Sequence, residues 1–159
     1  MKIFSDEEIK QISEPIISPP DDLVKIYEVV LLMADLCGLA GGVGLAAIQV
    51  GLPWKMFIVL NKEIGVECFL NCEYIPEEDE KALSVEGCLS IRNSSKELRF
   101  FEINRFKSVR LKGEKLDKNL KRIPVDQILT GFDAIVVQHE IDHALKILIS
   151  DIGKEIYSY

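Results

Sequence analysis

Histidine is scarce in this chain, with two residues in 159, and tryptophan occurs once. Cysteine is little used: Cys37, Cys68, Cys72 and Cys88 are four thiols at uneven spacings. That excludes a dense disulfide framework. Positive charge is in deficit, at 19 basic against 26 acidic residues and a net charge of −7. A globally basic nucleic-acid binder is therefore disfavoured. There is no internal repeat and no low-complexity tract. There is also no clean apolar run of membrane-spanning length. The longest uncharged stretch, Leu36 to Trp54, is broken by Gly38, Gly41, Gly42, Gly44, Gly51 and Pro53. It reads as ordered loop and turn, not as a membrane span. The opening residues, with Asp6, Glu7 and Glu8 among the first eight, have the pattern of neither a signal peptide nor a transit peptide. The expected setting is a reducing cytoplasm with free thiols.

What is present suffices for a core: hydrophobic residues make up 48% of the chain. The length predicts one domain spanning residues 1–159. Pro19-Pro20-Asp21-Asp22 is a helix start, and Leu23, Ile26, Val30, Met33 and Cys37 share one face of a helix running to about Leu36. Lys55–Leu60, Cys68–Leu70, Val109–Leu111 and Lys121–Val125 read as strands, the last at a sheet edge because of Pro124. Glu77–Glu80 is an acidic turn. Thr130-Gly131-Phe132-Asp133 matches a capping pattern, predicting a helix from Gly131 to about Ile147. That helix is apolar nearly all round and should be buried. The fold class expected is α+β: short antiparallel strands wrapped around one central buried helix.

The central helix contains both histidines, in His139-Glu140-Ile141-Asp142-His143. Imidazoles at i and i+4 lie one turn apart on one face and can share one divalent metal, with the intervening glutamate within reach of a water on it. A catalytic site needs a third protein ligand. Asp151 or Glu155 downstream would suggest a zinc endopeptidase, whereas Cys88 upstream, in Glu86-Gly87-Cys88-Leu89-Ser90, is the other choice. Cys68 and Cys72 read as packing residues. Gly42-Val43-Gly44-Leu45-Ala46-Ala47-Ile48-Gln49 permits close backbone approach. It lacks the third glycine and preceding strand of a dinucleotide site, which is not expected.

These three motifs, in this order, resemble the signature motifs of the peptide deformylase family, and the likeness runs from about Leu36 to Asp151. The resemblance implies a metal-dependent hydrolase that removes the formyl group from N-formylmethionyl peptides, leaving formate and a free methionine terminus. It implies Cys88, His139 and His143 as metal ligands, Glu140 as general base and acid, and Gln49 with the Leu89 N–H as the oxyanion site. Val43, Gly44 and Gly87 would pair with the substrate backbone, and Phe132, Ile135 and Val136 would line the methionine pocket. Arg105 would pair with Asp142 behind the ligands. The cofactor implied is one divalent ion, Fe(II), with zinc, nickel or cobalt also able to bind. The sequence departs from the family where Cys72 follows Asn71 and where Arg92 replaces a proline. Charge is uneven: Arg92–Arg122 holds 11 basic and 4 acidic residues, a local +7. After Lys146 only Lys154 is basic, so segment 92–122 is the expected face for any contact with the ribosome.

Overall fold

The computed structural model describes residues 1–156. Helix α1 spans Asp6–Lys10 and α2 spans Leu23–Leu39. Strand β1 (Gly44–Ala46) runs into a single 3₁₀ turn at Ala47–Val50. Strands β2 (Met56–Asn61), β3 (Gly65–Pro76), β4 (Lys81–Arg92), β5 (Leu98–Phe106), β6 (Ser108–Leu116) and β7 (Arg122–Thr130) follow. The chain then forms α3 (Gly131–Ala144), α4 (Ile149–Ile152) and β8 (Lys154–Ile156). The strands make two antiparallel sheets, ordered β1-β2-β3-β6-β7 and β4-β5-β8. Helix α3 touches strands of both. The architecture is the expected α+β arrangement around the helix that carries both histidines.

Helix α2 starts where Asp22 accepts a hydrogen bond from the Lys25 N–H, and its stripe of Ile26, Val30, Met33 and Cys37 is buried. This stripe packs with Leu45, Met56 and Ile58 in one core cluster. A second cluster joins Ala134, Val137 and Ile141 of α3 to Phe57, Phe69, Leu111 and Val125 of the large sheet. The helix runs to Leu39, beyond the expected end, before Gly41 turns the backbone at φ +72°. Within the uncharged stretch, β1 and the 3₁₀ turn replace the expected loop. Among the described residues no helix is long and apolar enough to cross a membrane. Pro124 lies on β7, an edge strand, as its missing N–H requires. Cys68 and Cys72 are buried packing residues of β3.

Helix α3 differs from expectation at both ends. Thr130 occupies the N-cap position, but its side chain makes no capping hydrogen bond, so the predicted Thr130–Asp133 box does not form. At the other end the helix stops at Ala144. The Ile147 N–H bonds to Asp142 O and the Lys146 N–H to His143 O, a Schellman closure with Lys146 left-handed at φ +57°. The Lys146 ammonium then donates to the carbonyls of Ile12 (2.6 Å) and Glu14 (3.1 Å), fixing that turn against the N-terminal segment.

The basic stretch runs through β5, β6 and the start of β7, where acids, most of them from outside it, pair with its cations. Arg99 pairs with Glu155, Lys107 with Glu80, Arg110 with Glu77 and Asp126, Lys115 with Glu67, and Arg122 with Glu114 and Asp21.

Candidate active site

Strand β4 supplies one wall of the site with an inverted pattern. Leu83 and Val85 are exposed, whereas Ser84, Glu86, Cys88 and Ser90 are buried. Alternation along a strand puts Ser84, Glu86 and Cys88 on one face, and past the register shift that follows Gly87 the residues Leu89, Ser90 and Ile91 are all buried. Helix α3 brings His139, Glu140, Asp142 and His143 to the same place, three of them buried and His139 nearly so.

Cys88, His139 and His143 converge so that one ligand atom from each lies within 4.8 Å of the others. Cys88 Sγ is 3.5 Å from His143 Nε2. His139 Nδ1 bonds to Glu86 Oε2 at 2.9 Å, which leaves its Nε2 available as a ligand atom. The surroundings favour positive charge at this spot. Burial works against a charged His139, but its contacts with Cys88 and Glu86 outweigh that and push its pKa up to about 10. His143, buried and beside His139, is pushed well down and stays neutral. His143 Nδ1 and Glu140 Oε2 are buried polar atoms without a partner among the described residues. A thiol, two imidazoles and the orphaned Glu140 Oε2 fit a soft or borderline divalent ion with a water.

Glu140 sits beside this cluster, and burial raises its pKa to about 7, with the Glu86 charge adding and His139 and Arg105 opposing. Its carboxylate lies against Gly44 so closely that a Cβ there would be 2.5 Å from Oε1. Gln49 is buried in the 3₁₀ turn. Its Oε1 accepts from the Ala46 N–H at 2.9 Å, and Nε2 therefore points to Ser90 Oγ (3.0 Å) and Cys88 Sγ (3.5 Å).

Behind the ligands stands a buried ionic network. Arg105 forks onto Glu86, through Nε (2.8 Å) and Nη2 (3.0 Å), and donates from Nη1 to Asp142. Glu86 in turn orients His139. Burial alone would raise the Glu86 pKa, but the His139 and Arg105 hydrogen bonds win and hold it down at about 2.

A cavity of about 430 Å³ opens over this cluster. Glu140, His139, Gln49 and Glu86 line it, with Val43 and Gly44 on one side, Gly87 and Leu89 on another, and Phe132, Ile135 and Val136 on the helix. Both β1 and β4 are edge strands of their sheets, so each has an unpaired backbone edge at this cavity. Phe132 is at the rim, 63% exposed, while Val136 is buried.

A sequence model of polypeptide deformylases matches residues 2–156. The chain belongs to the polypeptide deformylase family. It is 32% identical over 151 residues to the peptide deformylase of Thermotoga petrophila, covering 95% of this chain and 84% of that protein. Among solved structures it is similar to a probable peptide deformylase from Synechococcus phage S-SSM7, at 31% identity and TM-score 0.77, covering 96% of this chain and 99% of that one. It is also similar to a class I type b peptide deformylase from Acinetobacter baumannii bound to Met-Ala-Ser, at 26% identity and TM-score 0.76, covering 95% and 97%.

The endopeptidase alternative is not favoured in this deformylase fold. Asp151 is bound to Lys10, and Glu155 of β8 forms a forked pair with Arg99 of β5, so neither joins the Cys–His–His cluster. Sequence reasoning assigned no role to Glu86, Ser90 or Gln138. The first two lie two residues to either side of Cys88, a spacing that carries meaning only once the segment is known to be a strand. Gln138 bonds to both backbone groups of Phe106 and ties α3 to β5, a contact with no local signal.

Proposed function

We propose that this chain hydrolyses the N-formyl group of formylmethionyl peptides, giving formate and a free amino terminus. The observation that carries the reading is the Cys88–His139–His143 cluster with Glu140 beside it, in a cavity flanked by two open strand edges. The family membership agrees with it. Cys88, His139 and His143 would hold a divalent ion, which when bound supplies a Lewis acid that acidifies water and polarises a carbonyl. The thiolate suits Fe(II), and the same donor set accepts zinc, nickel or cobalt.

Glu140, poised near neutrality, takes the proton of the attacking water and delivers it to the leaving amine as the C–N bond breaks. The Gln49 amide and the Leu89 N–H donate to the oxygen that becomes anionic, where one donor can be worth about 3 kcal/mol. Val43, Gly44 and Gly87 lie on the edge strands or the loop beside them and suit backbone pairing with an extended peptide. Ile135 and Val136, with Phe132 at the rim, offer an apolar wall to the methionine side chain. Arg105 and Asp142 keep Glu86, and through it His139, in place. Residues 1–159 act as one catalytic domain in this reading, and free thiols suit a reducing cytoplasm. Ribosome contact through segment 92–122 has less support, because many of its cations are already paired with acids of this chain.

The test is formate release from formyl-Met-Ala-Ser by protein loaded anaerobically with Fe(II). No release from a metal-loaded preparation would overturn the proposal. Cys88→Ala should lose metal and turnover together, and Glu140→Ala should keep metal and lose turnover.

A further inference from the structure

The first ten residues form a small, self-locked unit that ends on Gln49. Ser5 caps α1 by accepting from the Glu8 N–H, and Glu8 reaches back to the Ser5 N–H at 2.9 Å, a reciprocal capping box. Phe4 precedes the cap and Ile9 follows four residues into the helix. Ile9 is fully buried, and Phe4 packs on the same core cluster. Residues at these two positions commonly form a staple that fixes the angle at which the chain enters a helix. So held, the Phe4 N–H donates to the Gln49 carbonyl at 2.7 Å. The Phe4 ring lies over Gly51, the left-handed residue that closes the 3₁₀ turn, where a Cβ would meet the ring at 2.6 Å.

The 3₁₀ turn needs such support. Runs of this helix are short and their hydrogen-bond geometry is poor. Gln49 stands on one of only four residues of the turn, yet its amide has to be held in one orientation. Inside the site, the Ala46 N–H and Ser90 hydroxyl fix its side chain. Its backbone is gripped from the other side by Phe4. We propose that Phe4 is a positioning residue for Gln49: the N-terminal segment clamps the 3₁₀ turn so that the glutamine amide stays aimed at the reacting carbonyl. This rests on the role given to Gln49 above.

The experiment is a double-variant cycle with Phe4→Ala, Phe4→Leu and Gln49→Ala. It is read as kcat and KM on formyl-Met-Ala-Ser per bound metal, which removes any loss of loaded sites. Phe4→Ala keeps the backbone N–H but removes the ring that seats it over Gly51, and is expected to lower kcat roughly five- to tenfold with KM within about twofold. Phe4→Leu, which keeps an apolar side chain over Gly51, should recover most of that loss. In the Gln49→Ala background Phe4→Ala should have no further effect on kcat. An equal loss of kcat with and without Gln49 would show a general structural role and overturn the proposal, as would wild-type kcat in Phe4→Ala. If Phe4→Ala does not fold, Phe4→Val, which leaves less side chain over Gly51 than leucine does, carries the same cycle under the same criteria. Full kcat in Gln49→Ala alone would instead overturn the role of Gln49, and the clamp with it.

Discussion

Replacing Arg105 by methionine should be among the most costly single changes outside the apolar core. The side chains of Arg105, Glu86 and Asp142 are 5%, 6% and 9% exposed, and Arg105 makes three charge-assisted hydrogen bonds to the other two. Methionine keeps most of the unbranched stem but strands two buried carboxylates, of which only Glu86 keeps a hydrogen-bonded cationic partner, in His139. Breaking a buried pair by removing one partner costs about 3–5 kcal/mol. The pair Lys2–Glu8 has a similar distance of 2.5 Å, but its side chains are 65% and 39% exposed, so solvent screens it and little stability rests on it. Burial, not distance, decides the difference. Urea unfolding of the metal-free protein measures it. With a slope of about 2 kcal/mol per molar, Arg105→Met should move the midpoint down by roughly 2 M, while Lys2→Met should move it by less than about 0.5 M. Arg105→Lys should fall between, since an ammonium cannot fork onto Glu86. Neutralising the stranded acids, in Arg105→Met with Glu86→Gln and Asp142→Asn, should recover part of the loss. A midpoint shift in Arg105→Met no larger than that of Lys2→Met would refute the reasoning, and so would a triple variant whose loss is the sum of three separate ones.

Other substitutions probe the site and its frame. Gly44→Ala puts a methyl 2.5 Å from Glu140 Oε1, and the flexible carboxylate moves before the backbone does; the protein should fold and bind metal normally while kcat falls by about two orders of magnitude, checked by metal analysis beside turnover. Burial pushes the thiols of Cys37 and Cys68 up to about 12 and that of Cys72 to about 11, from an ordinary 9.0. Above pH 9 the unfolded chain ionises these thiols and the folded one does not, so stability falls as pH rises, by about 1.4 kcal/mol per pH unit for each thiol. Cys68→Ala should therefore show a shallower decline than wild type between pH 9 and 11 in denaturant titrations; parallel curves would contradict this. Lys146→Met removes two ammonium–carbonyl bonds that hold the end of α3 to the N-terminal segment and should cost about 1–3 kcal/mol, read as a lowered thermal midpoint.

The parts of this protein legible in its sequence are those where function and packing follow the same periodicity. Helix α2 shows its buried stripe because nothing but packing acts on it. The two histidines announce themselves because i,i+4 spacing is both a helical face and a chelate. Strand β4 was not legible for the opposite reason. In its first half the inward residues are Ser84, Glu86 and Cys88 while Leu83 and Val85 are exposed, and only after the register shift past Gly87 are the apolar Leu89 and Ile91 buried beside Ser90. A rule that puts apolar side chains inside reads such a segment backwards. The inversion persists because the inner face is a polar site whose groups are satisfied by one another: Glu86 by Arg105 and His139, Ser90 by Gln49. The end of α3 was missed because the apolar pattern continues to Leu148, while the stop is imposed by Lys146, whose partners are more than 130 residues away. Glu86 joins both cases. It is two residues from Cys88 on the inverted strand face, and its partners Arg105 and His139 come from β5 and α3. In this chain, then, a strand whose buried face is polar marks the site more sharply than any single ligand does, because only a closed network of partners makes that burial tolerable.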